Sequence, residues 1–540
     1  MLIDVTGVFY KGSGFFIFLT LCILTSDASS QPSFSDVTLN KGIQTCQNEQ
    51  EGFGIGSSAA DFDSDGDVDL FLATPEGDRD RLLVNDGAGN FQNMASQAGI
   101  DVITRSRGGL WFDHNNDRRL DLLVTTDCFR TACETFTTLL TLYQQTSTGT
   151  FTNVTAQAGL TDPALSRDWH RSGVAAGDLN GDGYLDLITG YWEGPVKLYL
   201  NQHNGTFIEV SQSAGLGSST EYRGHWQPMI IDFDGDGLLD IYFTIDFNVN
   251  KLWINQGNQD GVPVFADMGL ISSCDNNMND MGLTMADYDE DGDPDIYATN
   301  IFRNGNHNVL LENQSTPGNP ACVDVSAMAG VMEGGWGWGT TFFDANNDTH
   351  MDLVETNGWH INGWEQPIRL FIQNFNNLKT FIDQAPSSGL TSLQWGSSLL
   401  ALDMDRDGDL DLIESVPDAC ARNRPFDLPL GIYESTLDNT NLDKNHLVVK
   451  PRIDGLNHFA IGTKVQVTIG NRTLTRWVTA GTSFLGQEPA EVHFGLADLT
   501  SIDQLIITWP DGMQTIDHNL AVNQLLTYTH TPFIFKDDFE

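Results

Sequence analysis

Short apolar runs alternate with polar, glycine-rich loops along the first 440 residues. Residues 68–73, 185–189, 239–244 and 410–413 are examples of such runs, and they are rich in leucine and β-branched side chains. Runs of this length bounded by turn residues are typical of buried β-strands, whereas helices need longer periodic segments. The pattern therefore predicts an all-β chain.

An aspartate-rich loop precedes each of these strands and recurs seven times. We number the loops 1 to 7 by their first residues, which are Asp61, Asp113, Asp178, Asp232, Asp287, Asp344 and Asp403. Successive loops begin 52, 65, 54, 55, 57 and 59 residues apart. This period is close to that of propeller blades and longer than that of helical solenoids.

A second repeated feature is an aromatic residue followed, some eight residues later, by glycine and an aliphatic residue. Full copies run from Phe34 to Gly42, Phe91 to Gly99, Phe151 to Gly159, Phe207 to Gly215 and Phe381 to Gly389, and altered copies end at Gly269 and Gly330. Each repeat has room for about four strands, the content of one blade. Because the first aromatic segment precedes loop 1, we expect it to complete the blade that loop 7 begins. The sequence predicts a seven-bladed β-propeller.

The loops have the composition of calcium sites. Oxygen-bearing side chains at loop positions 1, 3, 5 and 9 converge if the backbone turns at position 6, where glycine accepts a positive φ. Calcium takes six to eight oxygens, and the carbonyl at position 7 is a further ligand. An EF-hand is excluded because position 12 of loop 1 is Leu72 and a strand follows. Turn-forming preferences of Asp, Asn and Gly are the alternative explanation, but seven copies in phase favour metal.

We predict five to seven structural calcium ions. The predicted ligands are Asp61, Asp63, Asp65 and Asp69; Asp113, Asn115, Asp117 and Asp121; Asp178, Asn180, Asp182 and Asp186; Asp232, Asp234, Asp236 and Asp240; Asp287, Asp289, Asp291 and Asp295; Asp344, Asn346, Asp348 and Asp352; and Asp403, Asp405, Asp407 and Asp411. Loops 2 and 6 have Arg118 and Thr349 at position 6, so we expect them to bind more weakly. Their asparagine pairs, 115–116 and 346–347, tolerate left-handed backbone.

The loops also resemble a known family. Residues 173–188, which include loop 3, closely resemble the FG-GAP or VCBS repeat of integrin α-subunit propellers. Residues 445–530 resemble the ASPIC/UnbV domain at 460–465, 476–481, 493–496 and 509–512. The resemblance implies a calcium-bearing propeller followed by a small β-domain, as in the family that includes cartilage acidic protein. Apolar and polar residues alternate in the C-terminal segment, so we expect a small β-domain that packs beside the propeller.

Charge and termini indicate the setting. The chain has 73 acidic and 27 basic residues, a formal charge of −46, which argues against nucleic acid or an anionic membrane as partner. Residues 1–30 resemble a cleaved secretory signal, 31–440 the propeller, 445–530 the β-domain and 531–540 a tail. We predict no membrane span and a secreted, cell-surface or periplasmic location.

Six cysteines follow the predicted cleavage site, an even number that favours disulfides in an exported chain. Sequence alone allows fifteen connectivities. We favour Cys128 with Cys133, Cys274 with Cys322, and Cys46 with Cys420, the last of which would join the first segment to the final blade.

A ligand-binding mouth is predicted at one end of the central channel. The candidate residues are His170, His225, Asp280, Trp336, Trp338 and Trp395. Such tryptophans can equally be packing wedges and the histidines structural. No catalytic residue is predicted, because nucleophile elbow, H-E-x-x-H, Walker and dinucleotide motifs do not occur. We expect a binding or adhesion scaffold for an extracellular protein or glycan. The alternatives are a calcium-dependent polysaccharide-active enzyme and an assembly partner of another exported protein.

Overall fold

The computed structural model describes residues 31–43, 54–74, 79–100, 106–126, 140–161, 171–192, 194–217, 224–359, 365–374, 379–391, 393–417, 428–437 and 445–532. The predicted signal peptide, most of the tail and His170 lie outside these ranges. So do Cys46, Cys128, Cys133 and Cys420, so that two of the three predicted disulfides fall outside the described residues.

The described residues before 438 form seven antiparallel sheets, each with a continuous path of four strands. The chain begins with β1 (Phe34–Asp36) and a 3-10 turn (Thr38–Asn40). Sheet 1 contains β2 (Ser57–Ala60), β3 (Asp69–Leu72), β4 (Arg81–Asn85) and β5 (Phe91–Asn93). Sheet 2 contains β6 (Ser106–Phe112), β7 (Asp121–Thr126), β8 (Leu140–Ser147) and β9 (Thr150–Asn153). Sheet 3 contains β10 (Arg171–Gly177), β11 (Asp186–Tyr191), β12 (Gly194–Asn201) and β13 (Phe207–Glu209).

Sheet 4 contains β14 (His225–Ile231), β15 (Asp240–Val249), β16 (Lys251–Gln259) and β17 (Val262–Asp267), and the added β18 (Asn277–Asn279) pairs with β15. Sheet 5 contains β19 (Leu283–Ala286), β20 (Asp295–Ala298), β21 (Val309–Asn313) and β22 (Cys322–Asp324). Sheet 6 contains β23 (Gly337–Phe343), β24 (Asp352–Asn357), β26 (Arg369–Gln373) and β27 (Phe381–Asp383), and a small ladder joins β25 (Gln366–Pro367) to β28 (Leu393–Gln394). Helices of four residues, α1 (Ala95–Ala98), α2 (Gly269–Ser272) and α3 (Ser326–Ala329), follow the fourth strands of sheets 1, 4 and 5.

Sheet 7 joins the two ends of this region. It contains β29 (Leu399–Leu402), β30 (Asp411–Ser415), β31 (Leu430–Ser435) and, as its fourth strand, β1. Phe34 pairs with Ser435 in an antiparallel register. The all-β prediction and the predicted role of the first segment are confirmed, and the seven sheets are consistent with seven blades.

The repeated aromatic and glycine positions mark the contacts between neighbouring sheets. Gly99 has φ +84, and a Cβ there would lie 3.1 Å from the carbonyl oxygen of Phe151 in the next sheet. Gly389 has φ +87 and lies in the same way against Phe34. Glycine is needed because both the left-handed backbone and the close approach exclude a side chain.

Between sheets 4 and 5 a disulfide takes the place of this contact. Cys322 occupies the aromatic position of sheet 5 and is bonded to Cys274, which follows α2. Their Cα atoms are 4.9 Å apart. This predicted pair is confirmed, and it fastens the outer strand of sheet 5 to the preceding sheet.

Replacing both cysteines, Cys274→Ala with Cys322→Ala, should lower the free energy of unfolding by about 2–4 kcal/mol, the usual effect of a disulfide that closes a loop of this size. Urea unfolding of the variant and of the wild type, each with and without reductant, measures the change. Reductant should destabilise the wild type further than the variant. An unchanged midpoint in the variant would contradict the role given to this bond.

The C-terminal domain contains two further sheets. One has strand order β35 (Val492–Gly495), β32 (His446–Ile453) and β38 (Gln524–His530), with β32 and β38 parallel. The other has the order β34 (Arg472–Trp477), β33 (Lys464–Ile469), β36 (Ser501–Thr508) and β37 (Gln514–Ala521).

Residues 479–488, which we call the axial loop, leave this domain and run between the first strands of the seven sheets. β-bridges join Ser58 to Gln487, Ala176 to Ala480 and Leu283 to Ser483. Hydrogen bonds from the same loop reach the other four first strands at residues 111, 227, 340 and 399. The seven first strands therefore surround a filled channel. The domain does not merely pack beside the propeller, as the sequence suggested, because part of it lies on the propeller axis.

Candidate metal centres

The seven aspartate loops connect the first and second strands of their sheets. Position 9 of each loop is the first residue of the second strand, as Asp69 is of β3. All seven of these aspartates are buried; they are Asp69, Asp121, Asp186, Asp240, Asp295, Asp352 and Asp411. The loops open strands, as the sequence predicted.

Each position-9 carboxylate ties its loop to the sheet. Its Oδ1 accepts a backbone N–H from the third strand in all seven sheets, at 2.7–3.0 Å. In loops 2 to 7 its Oδ2 also accepts the N–H of loop position 2, at 2.9–3.2 Å. These aspartates therefore have a structural role whether or not they also bind an ion.

The loop backbone is left-handed at positions 4 and 6. Glycine occupies position 6 in five loops, for example Gly66 with φ +103. In loops 2 and 6 the same conformation is adopted by Arg118, with φ +68, and Thr349, with φ +84. The asparagines expected to accommodate the turn there, Asn116 and Asn347, lie at position 4 instead. The two loops therefore carry backbone strain that glycine would avoid.

The residue at position 3 separates the loops into two groups. In loops 1, 4, 5 and 7, where it is aspartate, three carboxylates offer oxygens within 4.8 Å of one another. In loop 3 it is Asn180, whose Nδ2 donates to Asp182 Oδ2 at 2.8 Å. Loop 2 has the same contact between Asn115 and Asp117, at 3.2 Å. Loop 3 thus groups with loop 2, although its sequence is among the most regular.

Burial makes these carboxyl groups hard to ionise without a cation. It raises the pKa of Asp69 and Asp240 to about 8, that of Asp232 to about 6 and that of Asp403 to about 7. Asp69 Oδ2 and Asp403 Oδ1 are buried without a hydrogen-bond partner among the described residues. A hard divalent cation would compensate such oxygens. The donor set of the four triad loops therefore fits calcium.

Two lysines lie against predicted ligands. Lys450 Nζ is 2.7 Å from Asp61 Oδ2, and Lys379 Nζ is 2.6 Å from Asp289 Oδ2. Each supplies positive charge to one carboxylate of a triad. Calcium bound at loops 1 and 5 would therefore share these carboxylates with the lysines or displace the lysines.

Sequence reasoning missed a set of amide side chains that link neighbouring loops. Asn201, at the end of β12, donates from Nδ2 to the carbonyl of His114 in loop 2, at 2.8 Å. Equivalent bonds reach position 2 of the preceding loop from Asn85, Gln145, Asn255, Asn313 and Gln373. The backbone N–H of each amide residue is the one that its own position-9 aspartate accepts, so these six links join the seven loops in series. Between loops 6 and 7 the ring is closed differently, by Asn347 Nδ2, which donates to the Gly408 carbonyl at 3.1 Å.

The C-terminal domain covers much of this ring. Arg472 binds Glu290 of loop 5 and donates to Thr349 Oγ1 of loop 6 at 2.8 Å. Asp454 pairs with Arg118 of loop 2, with 2.6 Å between the charged atoms. Arg406 of loop 7 pairs with Glu491 of the domain, and Lys450 of the domain pairs with Asp61 of loop 1.

The candidate mouth lies at the opposite ends of the first strands. His225, Asp280, Trp338 and Trp395 are buried, and Trp336 is half-buried. Asp280 accepts hydrogen bonds from asparagine side chains at 250, 276 and 300. Burial lowers the pKa of His225 to about 4, so its imidazole is neutral.

Phe484 of the axial loop closes the mouth from within. Its ring centroid is 5.2 Å from that of Trp226 and 5.0 Å from that of Trp338. The structure brings Trp338 and Trp395 together, at 5.8 Å between centroids. The contacts of these tryptophans are those of packing residues, one of the two roles that the sequence left open.

Family models match both parts of the chain. The FG-GAP-like repeat matches residues 61–124, 126–189, 178–243 and 232–298, and the ASPIC and UnbV model matches 454–532. The chain is an FG-GAP-like repeat protein with an ASPIC/UnbV domain. The predicted resemblance is confirmed.

Cartilage acidic protein 1 from two vertebrates is similar to this FG-GAP-like repeat protein. The human protein is 26% identical over 320 residues, 59% of this chain and 45% of the relative. The Xenopus tropicalis protein is 24% identical over 390 residues, 72% of this chain and 48% of the relative. The chain thus spans about half the length of these relatives.

Two solved structures are similar to this chain at low sequence identity. Rhamnogalacturonan lyase YesW has a TM-score of 0.39 at 14% identity, covering 74% of this chain and 75% of its own. YCF48 from Cyanidioschyzon merolae has a TM-score of 0.39 at 11% identity, covering 74% of this chain and all of its own.

In the described part of the FG-GAP-like repeat protein, no helix is long and apolar enough to span a membrane.

Proposed function

We propose that this protein is a secreted scaffold, stabilised by calcium, that recognises an extracellular protein or glycan. The observation that carries the proposal is the convergence of three carboxylates in each of loops 1, 4, 5 and 7. The disulfide and the similarity to cartilage acidic protein 1 support an extracellular setting. Calcium would then be structural, and recognition would use the outer surface.

The scaffold is favoured over a polysaccharide-active enzyme by the state of the channel. An enzyme acting at the mouth needs accessible polar groups, whereas His225 and Asp280 are buried and Phe484 packs against Trp226 in the channel. His225 Nδ1 lies 3.0 Å from the Tyr191 carbonyl oxygen, a contact typical of a structural histidine.

Calorimetric titration of the chelator-treated chain with calcium tests the proposal. We expect five to seven ions, with the four triad loops filled at the lowest concentrations. Asp405→Asn, which makes loop 7 resemble loop 3, should remove one tight site. The reciprocal Asn180→Asp should convert loop 3 into a tighter one, because calcium prefers an added carboxylate.

Two results would overturn the proposal. Saturation at one or two ions would mean that the loops are turns and not metal sites. Equal titrations of wild type, Asp405→Asn and Asn180→Asp would mean that position 3 does not contribute a ligand.

A further inference from the structure

A groove of about 530 Å³ separates the C-terminal domain from the loops of sheets 3, 4 and 5. Asp232 and Asp234 of loop 4 line its propeller side, and Trp477 and Pro510 line its other side. The volume lies within the range of small-molecule sites. The groove therefore offers a ligand simultaneous contact with a metal loop and the C-terminal domain.

Loop 4 differs from the covered loops in its relation to the C-terminal domain. Loops 1, 2, 5, 6 and 7 are bound by that domain through hydrogen bonds or ion pairs. Among the residues the structure describes, none of the hydrogen bonds or ion pairs joins loop 4 to it. Loop 4 instead faces the groove, where Leu239 lies close to Gly462 of the domain.

The carboxylates of loop 4 are only partly satisfied by the protein. Asp234 is 2% exposed, and its Oδ1 accepts the N–H of Asp236 at 3.2 Å. Within the described residues, Asp234 Oδ2 and Asp232 Oδ1 are buried and have no partner at normal hydrogen-bond geometry. These oxygens, with Asp240, would hold calcium. Calcium takes six to eight oxygens, so positions beyond those of the loop are open to ligand oxygens.

The rest of the lining selects the kind of ligand. Leu238, Pro317 and Pro510 give it an apolar component, and Asn180 and Asn258 add amide groups. The acidic side chains at 178, 293 and 511 outnumber the one cation, Lys464, whose Nζ is engaged by the Gly292 carbonyl at 2.9 Å. An anionic ligand is disfavoured by this charge. A sugar ring presents both an apolar face and many neutral hydroxyl oxygens.

We propose that this groove binds a neutral saccharide, whose hydroxyl oxygens complete the coordination of calcium held by loop 4. The proposal rests on the proposed function, because it requires calcium in that loop. It assigns glycan recognition to one place, the junction of propeller and C-terminal domain. A carboxylate of a protein ligand could bind the calcium ion, but the acidic residues that line the groove would repel it.

The full mature chain should be tested for retention by soluble mannan, galactomannan and dextran in affinity electrophoresis, with excess calcium or chelator. We expect retention by at least one polymer, lost with chelator. Asp234→Asn should abolish it and convert one tight calcium site into a weak one. The matched Asp405→Asn in covered loop 7 should likewise convert one tight calcium site into a weak one and keep retention.

A second pair of variants leaves the metal loops intact. Pro510→Phe places a ring in the groove and should weaken retention at least tenfold with the number of bound calcium ions unchanged. Met513→Phe, in the same turn but not lining the groove, should behave as wild type. A loss of folding in Pro510→Phe would show in its melting curve, and Asp234→Asn then decides alone.

The possible failures are distinguishable. No retention by the three polymers with calcium saturated, or retention that survives chelator or Asp234→Asn, overturns the saccharide site and leaves the calcium scaffold standing. Calcium-dependent capture of an aspartate-rich peptide in place of the polymers overturns it in favour of a protein ligand. If Asp405→Asn loses a tight calcium site but Asp234→Asn does not, loop 4 is not a metal site and the saccharide site fails while the calcium scaffold stands; if neither variant loses one, the proposed function fails as well.

Discussion

Chelation of calcium should lower the free energy of unfolding by about 6 kcal/mol when only the four triad loops are filled. An ion bound at ~0.1 mM from a ~1 mM medium stabilises the folded state by about 1.4 kcal/mol through linkage. Four such ions together approach the whole stability of many domains. Urea unfolding in calcium and in chelator measures the difference, with magnesium at the same concentration as control.

The effect of calcium should also depend on pH. The pKa values of Asp69, Asp240 and Asp403 are raised above those of the unfolded chain, so the metal-free folded state binds more protons between about pH 4 and pH 8. Its stability should therefore fall as the pH rises through this window. Calcium needs the ionised carboxylates, so the stabilisation it provides should grow over the same window. A calcium effect equal at pH 5 and pH 8 would contradict this assignment.

The propeller was predictable because its determinants are local. An aspartate loop, a strand and an aromatic segment recur at similar spacing, and each has a backbone reason. Gly99 and Gly389, for instance, must admit the neighbouring strand. The favoured pair Cys274–Cys322 is confirmed, and Cys322 stands where other repeats have an aromatic residue, a correspondence that the prediction of this pair did not use.

The amide side chains that link the loops were not predictable. Each lies between 15 and 24 residues after the aspartate that binds its backbone, so no fixed spacing reveals them. The axial loop was hidden for a related reason. Gln487 binds the backbone of Trp111, 376 residues earlier, and sequence pattern carries no record of such a contact.

The division of the loops was predicted only in part. Loops 2 and 6 departed visibly from the repeat because Arg118 and Thr349 replace glycine. Loop 3 keeps both glycines, and only the contact of Asn180 with Asp182 places it with loop 2. Backbone conformation follows from glycine, but the positions of ligand oxygens depend on side-chain contacts.

Phe484→Ala should destabilise the folded chain by about 3–5 kcal/mol, the usual cost of removing a fully buried phenylalanine. Phe484 is 0% exposed and lies among aromatic rings contributed by sheets 4 and 6. Because it belongs to the C-terminal domain, the cavity would weaken both domains at once. Denaturant unfolding of the variant should show a single transition at a lower midpoint.

The matched control is Phe247→Ala, because Phe247 is 69% exposed near the same mouth. Its change should stay within about 0.5 kcal/mol, as for most exposed positions. Two separate transitions in Phe484→Ala, with only the smaller one shifted, would show that the domains unfold independently. One shared transition would mean that the axial loop makes the propeller and the C-terminal domain a single cooperative unit, in which calcium bound at the loops also stabilises the domain that covers them.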